Sequence, residues 1–125
     1  MITNPIEIDL ALRKLIKAHV PPLQLRKDDS SGLEASGTIP AMQGKKKVDG
    51  FYFASIIPKP KDTRLYFFPI YTHCDHFAGL PPILRKCLKG KSCFHFKHLN
   101  EELEKHISKM VEQGVLIYQK AGLVA

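Results

Sequence analysis

Val48-Asp49-Gly50-Phe51-Tyr52-Phe53-Ala54-Ser55-Ile56-Ile57 and its sequel Arg64-Leu65-Tyr66-Phe67-Phe68-Pro69-Ile70-Tyr71 decide the fold. Both runs are rich in aromatic and β-branched residues, the mark of strands. With a side-chain period of two, Phe51, Phe53, Ser55 and Ile57 are expected on one face of the first strand, and Tyr52, Ala54 and Ile56 on the other. In the second, Leu65, Phe67 and Tyr71 oppose Tyr66, Phe68 and Ile70. The segment Pro58-Lys59-Pro60-Lys61-Asp62 joins the two as a hairpin turn. Each strand is apolar on both faces, whereas a sheet with one wet face alternates apolar and polar. A cover is therefore expected on each face: helices on one, and a loop, a second subunit or a ligand on the other.

Working outward, Asn4-Pro5-Ile6-Glu7 starts a helix, with Asn4 as cap, Pro5 at the first position and Glu7 in a capping-box relation. Ile8, Leu12, Leu15, Ile16 and His19 recur at helical spacing, and Arg13, Lys14 and Lys17 take the opposite face. Pro21-Pro22 stops it. Leu23 and Leu25 alternate with Gln24 and Arg26 as a strand, Lys27-Asp28-Asp29-Ser30-Ser31-Gly32 is turn chemistry, and residues 33–39 form a weaker strand. Residues 43–47 read as a basic loop. Beyond the central strands, residues 73–79 form a loop, and Pro81-Pro82 opens a short helix reaching about Leu88. Residues 92–97 form a strand with Phe94 and Phe96 on one face and Cys93, His95 and Lys97 on the other. The last helix starts after Asn100, with Glu101, Glu102 and Glu104 in its first turn, where the macrodipole favours anions. Its stripe is Leu103, Ile107, Met110, Gly114 and Ile117, and Gly114 there permits close approach to the sheet. Gly122 suits the C-terminal cap.

The fold class is thus α+β, an antiparallel sheet flanked by an N-terminal and a C-terminal helix, in one domain over residues 1–125. The chain of 125 residues is 44% hydrophobic, enough to fold without staples. Its three cysteines match neither a disulfide framework nor a zinc module. With no basic, apolar leader and no bilayer-length apolar run, a cytoplasmic location away from membranes is expected. A net charge of +7 favours anionic partners, nucleic acid among them.

Three constellations carry candidate chemistry. His73, Asp75 and His76 bring imidazoles and a carboxylate into one loop, ligand types for a transition metal, beside the reading of a solvated polar turn. Arg85, Lys86, Lys89 and Lys91, with Lys97, form a basic stretch suited to anions, beside the reading of a solvated face. Tyr52 and Tyr66 as cross-strand neighbours, with Cys93 and His95 on a shared face, are candidates to line a small-ligand pocket, beside the reading of an aromatic core. No phosphate loop or nucleophile elbow is present, and the Cys93–His95 pair lacks a visible orienting group, so no enzyme is expected.

The segments Val48-Asp49-Gly50-Phe51-Tyr52-Phe53-Ala54, Leu65-Tyr66-Phe67-Phe68-Pro69-Ile70-Tyr71-Thr72 and Leu88-Lys89-Gly90-Lys91-Ser92-Cys93-Phe94-His95-Phe96 resemble the YdhG-like domain of unknown function, grouped with the frataxin-like (YjbR/CyaY-like) superfamily. The resemblance runs from about residue 8 to 124 and implies a helix–sheet–helix fold. It also implies iron as cargo, an iron-chaperone role and, as partners, iron–sulfur or haem assembly proteins. Frataxins bind iron through acidic residues of the first helix and an adjoining strand. Here that helix has Glu7 and Asp9 followed by Arg13, Lys14 and Lys17, so no acidic ridge carries over. Three functions are expected to compete: iron handling, binding of nucleic acid or another anion on the basic surface, and a small-molecule or protein-interaction role, with a homodimer as one way to cover the sheet.

Overall fold

The computed structural model describes residues 2–124. Helix α1 (Pro5–Lys17) leads into β1 (Gln24–Asp29) and β2 (Gly32–Ser36), a small hairpin of β3 (Ala41–Gln43) and β4 (Lys46–Val48), and then β5 (Tyr52–Pro58) and β6 (Thr63–Phe67). Helix α2 (Pro69–Thr72), a 3₁₀ turn (Cys74–Phe77) and α3 (Pro82–Arg85) precede β7 (Cys93–Phe96) and α4 (Glu101–Lys120). Five strands form an antiparallel sheet in the order β1-β2-β5-β6-β7, and β3-β4 stands apart.

Both helix starts follow from their caps. The Asn4 side chain accepts from the N–H groups of Ile6 and Glu7, and Asn100 accepts from Leu103 at 2.7 Å. Helix α1 buries Ile8, Leu12 and Ile16, and α4 buries Leu103, Ile107, Met110, Val111, Gly114, Ile117 and Tyr118. The two helices pack against each other, α1 on β5 and β6 as well. Gly114 brings α4 onto the rings of Phe67 and Phe53. Both helices therefore cover the same face of the sheet. That face consists of the cross-strand rows Leu33–Ile56–Leu65–Phe94 and Ala35–Ala54–Phe67, all buried.

The opposite face is where expectation and structure part. Ala35 pairs with Ala54 and Ser36 with Tyr52, so Phe53 is the extra residue of a bulge. The bulge turns Phe53 onto the core face beside Ala54, and both are fully buried. Strict alternation from Phe51 would have grouped Phe53 with Ser55 and Ile57. The other face instead carries the rows Glu34–Ser55–Tyr66–Cys93 and Ile57–Arg64–His95, most of them half-buried. It is largely polar and needs no second layer to be stable in water.

Other boundaries also moved. The first central strand starts at Tyr52 because Val48 pairs with Ala41 in the β3-β4 hairpin, whose turn holds Gly44 at φ 65°. Residues 43–47, expected as a loop, thus lie mostly within that hairpin. The chain leaves β6 at Phe67, since Phe68 N–H bonds Phe53 O at 2.9 Å and Pro69 opens α2. The turn expected over 27–32 shrinks to Ser30-Ser31, because β1 runs through Asp28 and Asp29. Asp28 is gripped by Arg13 at 3.0 Å and Lys17 at 2.7 Å, so Arg13 is buried under β1 and also bonds Asp9 at 2.9 Å. It does not share an exposed face with Lys14. Among the described residues no helix is long and apolar enough to cross a membrane.

Candidate functional site

The basic residues that converge are those beside β7. After α3 the chain turns and runs along the outer edge of β7. Lys89 N–H bonds Cys93 O at 2.7 Å and His95 N–H bonds Cys87 O at 2.9 Å, with Leu88 bridged to Phe94. Phe94 faces the core, so Leu88 opposite it does too. Alternation then sends Cys87 and Lys89 to the open face, with Cys93 and His95. The positive φ of Gly90 (110°) makes the return possible. The β5–β6 turn delivers Asp62 to the same place, because Thr63 pairs with Phe96 and Arg64 with His95.

The result is a cleft of about 340 Å³ lined by Asp62, Lys86, Cys87, Lys89, His95, Phe96, Lys97 and His98. Among the described residues Asp62 is its one lining carboxylate. That carboxylate is occupied: its Oδ1 accepts from Arg64 Nε at 3.2 Å, and its Oδ2 faces His95 Nδ1 at 3.4 Å. Asp62 therefore lies beside the Nδ1 edge of the His95 ring. Three lysines around an acid paired with Arg64 make an electropositive cleft.

The anion candidates divide. Lys86 and Lys89 line this cleft with Lys97. Arg85 does not line it, since its Nη2 donates to the carbonyls of Phe77 at 2.8 Å and Ala78 at 3.4 Å, fastening the 3₁₀ turn. Lys91 places its ammonium 5.5 Å over the Tyr71 ring, a cation–π contact.

The ligand-type loop is arranged differently. The His73 and His76 rings lie 6.2 Å apart between centroids, His73 Nδ1 is 2.8 Å from Thr72 Oγ1, and Asp75 is exposed. Among the described residues no three His, Cys, Asp or Glu side chains are grouped to hold a metal ion. His73 and His76 instead border a cleft of about 420 Å³ with Gln113, Leu116, Ile117, Lys120 and Ala121 of α4 and its end. Gln113 Nε2 ties the loop down by donating to His76 O at 2.8 Å.

Tyr52, Tyr66, Cys93 and His95 do share the open face. Register sets Tyr66 opposite Ser55 and Cys93, and Tyr52 opposite Ser36. The two tyrosines are thus linked through Ser55, whose Oγ accepts from Tyr52 OH at 2.6 Å, and are not a direct cross-strand pair. Burial pushes the Tyr52 hydroxyl up to about 12, against the Ser55 bond. Burial also raises the Cys93 thiol, although the Tyr66 hydroxyl and the Arg64 charge pull it down. A raised thiol is a poor nucleophile at neutral pH.

At the far end of the face, Arg26, Glu34, Gln43, Val48, Gly50 and Tyr52 line a third cleft of about 250 Å³. Arg26 is fixed there by Ser36 Oγ at 2.9 Å and Gly50 O at 3.2 Å. Sequence reasoning missed Asp62, Arg64, His98 and Arg26. The signal for the first two lay in the β6–β7 register, which brings the hairpin turn beside His95. Compared with family models, curated proteins and solved structures, the chain matches none.

Proposed function

We propose that this domain is a non-enzymatic binding module whose ligand is an anion seated in the cleft at the β7 edge. The observation that supports the reading is the gathering of Lys86, Lys89, Lys97, His95 and His98 around an acid already engaged by Arg64 and His95. Ammonium and imidazole N–H groups bind phosphate oxygens by charge-assisted hydrogen bonds, and a concave site shields them from screening. The test is a calorimetric titration with inorganic pyrophosphate at low salt. Saturable binding is expected, weakened about tenfold or more by Lys86→Ala with Lys89→Ala, as loss of charged hydrogen bonds demands. No binding at low salt removes the reading.

A second reading is the iron handling that the YdhG-like and frataxin-like resemblance implies, with iron–sulfur or haem assembly proteins as recipients. What favours it is the proximity of the His73 and His76 rings at one cleft. Two imidazoles leave an iron ion short of ligands, so water or a recipient's side chains would complete the set. An anaerobic ferrous-iron titration tests it: micromolar binding lost in His73→Ala and His76→Ala sustains the reading, and absence of binding ends it.

A further inference from the structure

We infer that the anion is single-stranded nucleic acid and that it lies across the open sheet face, from the β7-edge cleft to the β3-β4 hairpin. This rests on the anion-binding reading and extends it beyond the cleft.

The open face is basic at both ends. One end is the cleft with Lys86, Lys89 and Lys97. The other is the β3-β4 hairpin, whose Lys45, Lys46 and Lys47 are all exposed. The hairpin borders the same face, because Gln43 Oε1 accepts from Tyr52 N–H at 3.1 Å and Gln43 and Val48 share a cleft with Arg26, Glu34 and Tyr52. Between the ends lie the half-buried Tyr66, with Arg64 beside it, and the more deeply buried Tyr52. Of the acids on the face, Asp62 is bound by Arg64 and faces His95, so among the described residues Glu34 and, at the β1 edge beside Lys27, Asp29 are the acids a polyanion meets.

Two separated phosphate-binding ends with π-faces between them suit a strand whose backbone reaches both ends while its bases turn onto the sheet. A small anion fills one end only. A duplex hides its bases and offers the tyrosines nothing. Five strands spaced about 4.8 Å apart give a face roughly 19 Å wide, room for a few nucleotides. About four phosphate contacts, two at each end, predict a slope of about −2.8 in log affinity against log salt, roughly a fifty-fold loss between 50 and 200 mM.

The experiment is fluorescence anisotropy at low salt with a labelled ten-nucleotide single strand and with the same sequence as a duplex, beside the pyrophosphate titration. The single strand is expected to bind more tightly than the duplex. Lys45→Ala with Lys46→Ala and Lys47→Ala, and separately Tyr66→Leu, are each expected to weaken the single strand about tenfold and leave pyrophosphate unchanged. Lys86→Ala with Lys89→Ala is expected to weaken both ligands. The hairpin lysines are exposed, so their variant folds and carries the test by itself if Tyr66→Leu does not. If pyrophosphate binds while the duplex equals the single strand, or while the hairpin variant binds the strand like wild type, the inference is overturned and the anion-binding reading stands. If neither pyrophosphate nor the strand binds, both fall.

Discussion

Replacing Gly114 by alanine tests the contact that joins α4 to the sheet. A Cβ at that position would lie 2.6 Å from Phe67 Cζ, 3.1 Å from Phe67 Cε1 and 3.2 Å from Phe53 Cε1. Carbon atoms pack at about 3.5–4.0 Å, so the nearest ring must retreat by about 1 Å. It has little room to do so. Phe67 and Phe53 are fully buried and meet edge to face at 5.6 Å; Phe53 also meets Tyr118 at 5.3 Å, and Phe67 meets Phe77 at 5.5 Å. Overpacking of this kind costs about 1–3 kcal/mol. Against it stands the gain of about 1 kcal/mol from alanine's better helix propensity. The displacement passes through four linked rings, which places the cost in the upper half of its range and the net loss at about 1–2 kcal/mol. Urea unfolding followed by circular dichroism reads this as a midpoint lowered by about 0.5–1 M with an unchanged slope. Valine at the same position should be worse, because its branch enters the same rings. A stability gain of about 1 kcal/mol in Gly114→Ala would show propensity acting alone and refute the close approach.

Other consequences concern the charged and sulfur-bearing groups. Arg13→Met removes a buried guanidinium from Asp9 and Asp28 and is expected to cost about 2 kcal/mol in the same urea assay, because the partly buried Asp9 loses its ion-pair partner and Asp28 keeps only Lys17; a neutral result would mean the Arg13 pairs contribute nothing. Hydrogen bonds from Lys17 and then Arg13 hold the Asp28 carboxyl below the usual carboxylate range. Its folded value lies below its unfolded one, so the stability it contributes is present above about pH 4 and is lost as pH falls through the folded value. Asp28→Asn should therefore flatten the acid limb of stability against pH, and an unchanged limb would contradict the assignment. Cys74 is exposed whereas Cys87 and Cys93 are half-buried with thiols raised by burial. A disulfide reagent at neutral pH should react with one thiol quickly and two slowly, the fast phase vanishing in Cys74→Ser; three equal rates would count against the burial described.

The elements legible in the sequence were those whose local chemistry agrees with their tertiary role. Asn4 and Asn100 cap, the stripes of α1 and α4 keep a helical period, and β7 alternates Cys93 and His95 against Phe94 and Phe96 as expected. Reading failed where apolar or charged runs carry no period of their own. Phe51 to Ile57 is apolar enough to satisfy either register, and only the pairing of Ala35 with Ala54 and Ser36 with Tyr52 reveals the bulge at Phe53. The lysines of the β3-β4 hairpin resemble a loop because its strands of three residues bury little. Arg13 looked like a surface residue because its partner Asp28 comes from β1, fifteen positions away.

The same division runs through the candidate site, and it bears on function. Positive charge between Arg85 and Lys97 was visible, but which cations cooperate was not. Arg85 is spent on the carbonyls of Phe77 and Ala78, while Asp62, from a turn over twenty residues earlier, lies beside His95. The bulge at Phe53 decides the rest. It moves one aromatic ring from the outer face to the core, so both helices close over a single apolar face and leave the other polar. A sheet whose second face needs no cover is free to present Tyr66, Arg64 and His95 to a ligand, and the basic groups at its two ends then share one surface. The backbone irregularity that sequence periodicity cannot register is thus what leaves the second face of the sheet polar and partly exposed where a buried one was expected.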